Sequence, residues 1–162
     1  MIRDKARTEA YKKAIEQNRH LFEGKTILDI GTGTGILSLF AAQCGAKKVY
    51  AVDNADIAYF AMDIIKKNGF SNIEVIKGKI QDCKKIPDNS IDVIISEWMG
   101  YFLLYESMLD SIIEVRDKYL KKGGTVFPNK AQIFVAAIDD EKFYSFKVGH
   151  WKDVYGFDMS CL

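Results

Sequence analysis

The sequence predicts an α/β fold: a mostly parallel, twisted sheet with helices on both faces. Three observations carry this. Short β-branched apolar runs alternate with longer helical patterns, the runs are hydrophobic almost end to end, and the first of them passes through a glycine-rich turn into a helix. A strand covered on both faces has no solvent side to keep polar, so continuous hydrophobicity suits a sandwiched parallel sheet.

Taken in order, "MIRDKARTEAYKKAIEQN" reads as helical from its first residue. "TILDI" (Thr26–Ile30) is the first strand, and "LDIGTGTGILS" carries it into a helix over Ile36–Cys44. "VYAVD" (Val49–Asp53) is the second strand, followed by a helix over Ile57–Asn68. "IEVIKG" (Ile73–Gly78) and "IDVIIS" (Ile91–Ser96) are the third and fourth strands. A helix over Glu106–Tyr119 leads to "GTVF" (Gly124–Phe127). A last run, "AQIFVAAI" (Ala131–Ile138), follows Pro128 with no crossover helix before it, so it either pairs antiparallel or leaves the sheet for another domain.

Composition excludes several function classes. With 162 residues, 48% hydrophobic, 28% charged and a formal net charge of +1, the chain has no bulk attraction for nucleic acid or membrane, so charge-based recognition must be local. Three widely spaced cysteines give neither a disulfide framework nor a metal knuckle, and two distant histidines form no metal motif. No apolar run reaches the roughly 20 residues of a membrane span, and no signal peptide is visible. The expectation is a soluble protein of the cytoplasm or nucleus with no metal.

The chemistry gathers at strand ends. Gly31, Gly33 and Gly35 allow a tight turn and close approach of a ligand where an open α/β sheet collects its ligands. Their spacing is G-x-G-x-G, which disfavours the dinucleotide fingerprint. Asp53 closes the second strand, where a carboxylate can accept both hydroxyls of a ribose; the alternative is a loop or capping acid. Asp29 closes the first strand and suits either a structural bond to the loop or a ligand ammonium. A nucleoside bearing an amino-acid tail matches this set, and Arg7 could supply the cation for its carboxylate.

"SEWMGYFLLYES" (Ser96–Ser107) places Glu97 and Glu106 among apolar, aromatic and small residues. On one unbroken helix nine residues at about 100° each would send the two to roughly opposite sides, so they converge only if the chain bends, and Gly100 is where it can. Salt bridges to nearby lysines, or a place at the start of the following helix, are the structural alternatives. Trp98, Tyr101, Phe102 and Tyr105 read mostly as packing residues, and His20 as structural.

The chain resembles a protein arginine methyltransferase over nearly its whole length. "LDIGTGTG" and the acid of "AVD" are shared with S-adenosylmethionine-dependent methyltransferases of the Rossmann-like class I fold. "SEWMGYFLLYESML" resembles the double-glutamate loop of the arginine family, "RTEAYKKAI" its cofactor-covering helix, "VRDKYLKKGGTVFPNKAQIFVAAI" its last sheet segment, and "VYGFDMS" its lead into a β-barrel. The resemblance implies S-adenosyl-L-methionine as cofactor and S-adenosyl-L-homocysteine as product. It implies that Gly31, Gly33 and Gly35 line the cofactor, that Asp53 (usually Glu) holds the ribose, that Arg7 pairs with the methionine carboxylate, and that Met1 or Met108 touches the cofactor. Asp29 is counted with the cofactor-binding residues, and Ile80 with Gln81 (usually Glu) borders the adenine. Glu97 and Glu106 would clamp a substrate guanidinium, with the loop most like that of members making asymmetric dimethylarginine.

The same resemblance implies arginine-containing protein substrates, such as glycine- and arginine-rich segments, RNA-binding proteins or histone tails, and a homodimer for the full-length enzyme. The organisation expected is a cofactor-covering segment over 1–22, a cofactor-binding domain over 23–138, and over 139–162 the lead into a β-barrel lying beyond the chain. A fragment of that kind should methylate poorly and self-associate weakly. A methyltransferase with another acceptor, and a non-catalytic regulatory partner, are the competing expectations.

Overall fold

A computed structural model describes residues 1–162, which divide into two compact units, Met1–Ala131 and Gln132–Leu162. In the first, helix α1 (Lys5–Gln17) precedes strand β1 (Thr26–Ile30), helix α2 (Ile36–Gln43), strand β2 (Lys48–Asp53), helix α3 (Ile57–Lys67) and strand β3 (Ile73–Lys77). Strand β4 (Ile91–Ser96), helix α4 (Met108–Tyr119) and strand β5 (Leu120–Phe127) complete it. All five strands are parallel, in the order β3-β2-β1-β4-β5. This is the expected fold class.

Alternate residues of each strand feed two cores, as the period of two requires. Ile27, Val49, Ala51, Val93 and Ile95 pack with Ile15 of α1, Leu37 and Ala41 of α2, and Ala61 and Ile65 of α3. Leu28, Ile30, Val52 and Ile94 pack on the other face with Ile112, Val115 and Tyr119 of α4, and Ile91 joins them beyond the register shift between Ile91 and Val93. The helices therefore cover both faces.

The chain departs from expectation at its edges. Met1–Asp4 form a turn, with the Asp4 amide donating to the Met1 carbonyl, and the helix starts at Lys5 because the Asp4 carboxylate caps the Arg7 amide at 3.1 Å. Strand β5 begins four residues earlier than its apolar core suggested, at Leu120, and accommodates Lys121–Gly124 by a shift in its pairing with β4. Ala131–Ile138 forms no strand; Phe134 and Val135 are exposed. The second unit contains helix α5 (Glu141–Lys147), capped by Asp140, and a 3-10 turn at Gly149–Lys152. No helix is long and apolar enough to cross a membrane.

Strand order decides where a ligand can sit. From β1 the chain works outward through β2 to β3, then returns to β4 on the other side of β1. The crevice lies at the carboxyl ends of β1 and β4, where the connections diverge. There Ile30 and Ser96 are register partners, so Gly31 and Glu97, the next residues of each strand, leave the sheet side by side.

Candidate cofactor and acceptor site

The glycine loop is built around Asp29. This residue is fully buried at the end of β1, and its Oδ2 accepts from Thr32 Oγ1 at 2.6 Å and Ser38 Oγ at 2.7 Å. Those hydroxyls belong to the loop and to α2, so the acid ties the turn to the helix it opens. Its Oδ1 is buried with no donor. Burial pushes the Asp29 carboxyl up to about 6, against the lowering effect of the two hydroxyls. A buried carboxylate with one oxygen unpaired is costly unless a cation arrives.

The loop needs its glycines for two different reasons. Gly33 has a φ of 56°, and a Cβ there would meet nothing within 4 Å, so its backbone faces open space that a ligand can occupy. Gly31 has a φ of 70°, and a Cβ on it would come within 3.3 Å of Met108 Cε. Met108, the first residue of α4, thus lies directly against the loop. Asp53 closes it from the other side: Oδ2 accepts from the Gly33 amide and Oδ1 from the Ala55 amide, both at 2.8 Å. The loop-acid role is realised, and each oxygen keeps a lone pair for a further donor.

Helix α1 approaches the same crevice with a stripe of residues four apart. Ile15 is fully buried, while Tyr11 and Arg7 reach the end of β4. Arg7 Nη1 lies 3.1 Å from Glu97 Oε2, with the two side chains 38% and 18% exposed, and Arg7 Nε lies 3.3 Å from Asp4 Oδ2. Glu97 is thus paired not with a lysine but with a guanidinium. A cleft of about 210 Å³ lies among Met1, the glycine loop, Ile57 and Glu97.

Glu106 is carried back toward Gly100 by a closed loop. The Gly100 and Leu103 amides donate to each other's carbonyls, the Tyr105 amide donates to Tyr101, and the Ser107 amide donates to Leu104. The turn brings Glu106 back onto Gly100, where a Cβ would meet Glu106 Cγ at 2.6 Å and its amide nitrogen at 2.9 Å. Gly100 is therefore required for close approach rather than for a left-handed backbone. Glu106 is exposed, makes no salt bridge, and precedes α4 without capping it, since the helix starts two residues later than expected. Phe102, Leu103 and Ser107 take φ of 52°, 66° and 54°. Trp98 is buried, but Tyr101, Phe102 and Tyr105 are exposed, so the packing role expected of these three is not realised.

Of the residues singled out in the sequence, Arg7, Asp29, Gly31, Gly33, Asp53, Glu97 and Met108 meet around the β1–β4 crevice. Gly35, at φ 84°, starts α2 against Ile65 and has a packing role. Ile80 points into the core, 5% exposed. Gln81 is turned to α4, its Nε2 donating to Ser111 Oγ and Glu114 Oε2 at 3.3 Å, which leaves its amide oxygen available. Sequence reasoning missed Thr32, Ser38 and Tyr11. The two hydroxyls stand within the quoted glycine motif, and Tyr11 is one helical turn beyond Arg7 in "RTEAYKK"; those spacings were the available signal.

Residues 21–151 match the family model described as Methyltransferase domain. The chain is 52% identical to Protein arginine N-methyltransferase 1 of Dictyostelium discoideum, over all of this chain and 48% of that protein. It is equally similar to Protein arginine N-methyltransferase 1.1 of Arabidopsis thaliana, over 42% of that protein. It spans less than half the length of these relatives. Among solved structures, a Trypanosoma brucei PRMT1 enzyme-prozyme heterotetrameric complex with AdoHcy superposes with a TM-score of 0.86 at 45% identity, covering 99% of this chain and 50% of that one. Arabidopsis thaliana protein arginine methyltransferase 10 gives 0.82 at 43%, covering all of this chain and half of its own.

Proposed function

The chain belongs to the methyltransferase-domain family, in its protein arginine N-methyltransferase branch, and from that premise we propose that it binds S-adenosyl-L-methionine and directs methyl transfer to a guanidino nitrogen of protein arginine. The observation that carries the proposal is the adjacency of the glycine loop and Glu97: Glu97 follows Ser96, the register partner of Ile30, and opens the loop in which Glu106 folds back onto Gly100.

The residues present fit the cofactor. Asp29 Oδ1 is an unpaired buried acceptor for an ammonium, Arg7 is a cation for a carboxylate, and Asp53 keeps lone pairs for ribose hydroxyls. When bound, S-adenosyl-L-methionine supplies an electrophilic sulfonium methyl. Glu97 and Glu106 supply acceptors for a guanidinium, which is planar, rich in donors and always protonated. Held through two of its nitrogens, the guanidinium concentrates positive charge toward the acids and leaves the third nitrogen better able to attack. Positive charge grows on the guanidinium in the transition state, so the acids stabilise that state more than the ground state. Proton loss comes late, to a glutamate or water, and needs no strong base.

Calorimetric titration with S-adenosyl-L-homocysteine tests the cofactor half: saturable binding is expected, and its absence sinks the reading. Mass and fragment analysis of a methylated glycine- and arginine-rich peptide tests the rest, including asymmetric dimethylation, which the loop's likeness favours. Isolated, the domain is expected to turn over slowly and to self-associate weakly. A regulatory, non-catalytic chain is the second reading, favoured by the engagement of both Asp53 oxygens with backbone amides, those of Gly33 and Ala55.

A further inference from the structure

Glu97 follows the last residue of β4, so the direction of its side chain depends on the peptide that joins it to Ser96. Ser96 is fully buried and its hydroxyl donates to the Ile30 carbonyl at 2.8 Å, which fixes the strand end to β1. Its carbonyl accepts from the Tyr11 hydroxyl at 2.9 Å, across 85 residues of sequence. That carbonyl belongs to the Ser96–Glu97 peptide itself. One turn earlier on α1, Arg7 Nη1 holds the Glu97 carboxylate. One helix therefore grips Glu97 at both ends, by backbone and by charge.

We propose that Tyr11 is a positioning residue for Glu97: its hydroxyl sets the Ser96–Glu97 peptide so that the carboxylate meets Arg7 and faces the acceptor site. This rests on the arginine reading for its purpose but not for its geometry. Tyr11 is suited to the task because it stays a donor. Burial, then the neighbouring Glu97 charge, raises its phenol well above the usual tyrosine range, and Arg7 only partly offsets them. A hydroxyl that does not ionise at working pH holds one hydrogen-bond polarity throughout. Tyr11 contributes a point of attachment rather than a contact with substrate.

The test compares the chain with Tyr11→Phe, which keeps the ring and removes the donor, and with Ile15→Val, which loosens α1 without touching the hydroxyl. Nitrogen-15 NMR reads the Arg7 guanidinium, whose ion pair slows rotation and separates its Nη signals. Tyr11→Phe should collapse that separation, and Ile15→Val should preserve it. Persistence of the separated signals in Tyr11→Phe, or their collapse in Ile15→Val, overturns the proposal. Should Tyr11→Phe fail to fold, the unsubstituted chain decides: a slowly exchanging Tyr11 hydroxyl proton with an Overhauser contact to the Glu97 amide supports the role, and a freely exchanging one refutes it. A second arm uses the chain saturated with S-adenosyl-L-homocysteine and a glycine- and arginine-rich peptide. Tyr11→Phe should weaken peptide binding about tenfold and cofactor binding less than twofold; equal peptide binding overturns the positioning role. If the unsubstituted chain binds no peptide, the arginine reading fails while the NMR arm still decides Tyr11.

Discussion

The glycine loop and the double-glutamate loop leave neighbouring strands at the same end of the sheet, yet they are constructed on opposite terms. The first is anchored on the fully buried Asp29, its positive φ angles fall on glycines, and two carboxylates tie it down by accepting from Thr32 Oγ1 and the Gly33 amide. The second is exposed, puts positive φ on Phe102, Leu103 and Ser107, and turns Tyr101, Phe102 and Tyr105 to solvent. Backbone strain in a non-glycine residue costs of order 1–3 kcal/mol and persists only where the surroundings enforce it. The proposed cofactor half of the site is thus set in advance, whereas the proposed acceptor half holds its geometry against its own backbone preferences. Glu97 belongs to both, paired with Arg7 on one side and leading into the strained loop on the other.

The sharpest way to separate the halves is Glu97→Gln. An amide keeps the shape but cannot form the charge-assisted bonds that a guanidinium requires. Single-turnover methyl transfer to an arginine peptide should fall at least about 100-fold, while affinity for S-adenosyl-L-homocysteine changes by less than about fivefold. Equal losses in both would mean that the two regions are not functionally distinct.

Asp29→Asn reports on the buried half through pH. The folded-state pKa of Asp29 is raised to about 6 from an ordinary 3.8, so between these values the native state binds more protons than the unfolded one. Stability from this group therefore declines as pH rises through that window, by about 3 kcal/mol in all, and the penalty is complete above pH 6. Asn carries no such penalty. The variant's melting temperature relative to the parent should accordingly rise between pH 4 and pH 7, while its cofactor affinity falls about tenfold at pH 7.5. A flat difference in melting temperature would show that no buried charge is being relieved.

Gly100→Ala acts on the exposed half alone. The added methyl meets Glu106 Cγ at 2.6 Å and, less avoidably, the Glu106 backbone nitrogen at 2.9 Å, so the loop must open. Methyl transfer should drop about tenfold, with the melting temperature lowered by only a few degrees because little of the core is involved. A retained rate would show that Glu106 need not lie against Gly100.

The same contrast explains what could be seen in the sequence. Strands buried on two faces declare themselves by composition, and all five were legible to within a residue or two except β5, whose Lys121–Gly124 has no apolar signal. Gly31, Gly33 and the acids at strand ends were legible because a tight turn at the carboxyl end of a sheet restricts residue type. Arg7 and Glu97 could be nominated separately, but their pairing depends on where α1 docks, which is a tertiary outcome. Tyr11 was illegible for the same reason: its partner is a backbone carbonyl 85 residues away, and a carbonyl leaves no mark on the sequence. The exposure of the loop aromatics ran against hydrophobic patterning, and it coincides with a backbone that takes positive φ at Phe102, Leu103 and Ser107.

The smallest effect expected comes from relieving that strain. Phe102 lies at φ 52° and is 83% exposed, so Phe102→Gly removes an unfavourable backbone state while giving up little packing. Against this, glycine gains entropy in the unfolded chain, worth up to about 1 kcal/mol, so the two terms nearly cancel. The melting temperature should shift by no more than a few degrees in either direction. Yet hydrogen exchange of the Gly100–Ser107 amides should accelerate, because the native turn would lose its distinction from its alternatives. Gly33→Ala makes the converse change in the other loop, forcing a Cβ into positive φ with nothing nearby to blame, and should cost about 1 kcal/mol or more. Matching losses of stability from the two substitutions would mean that the halves of the site do not differ in how they store strain.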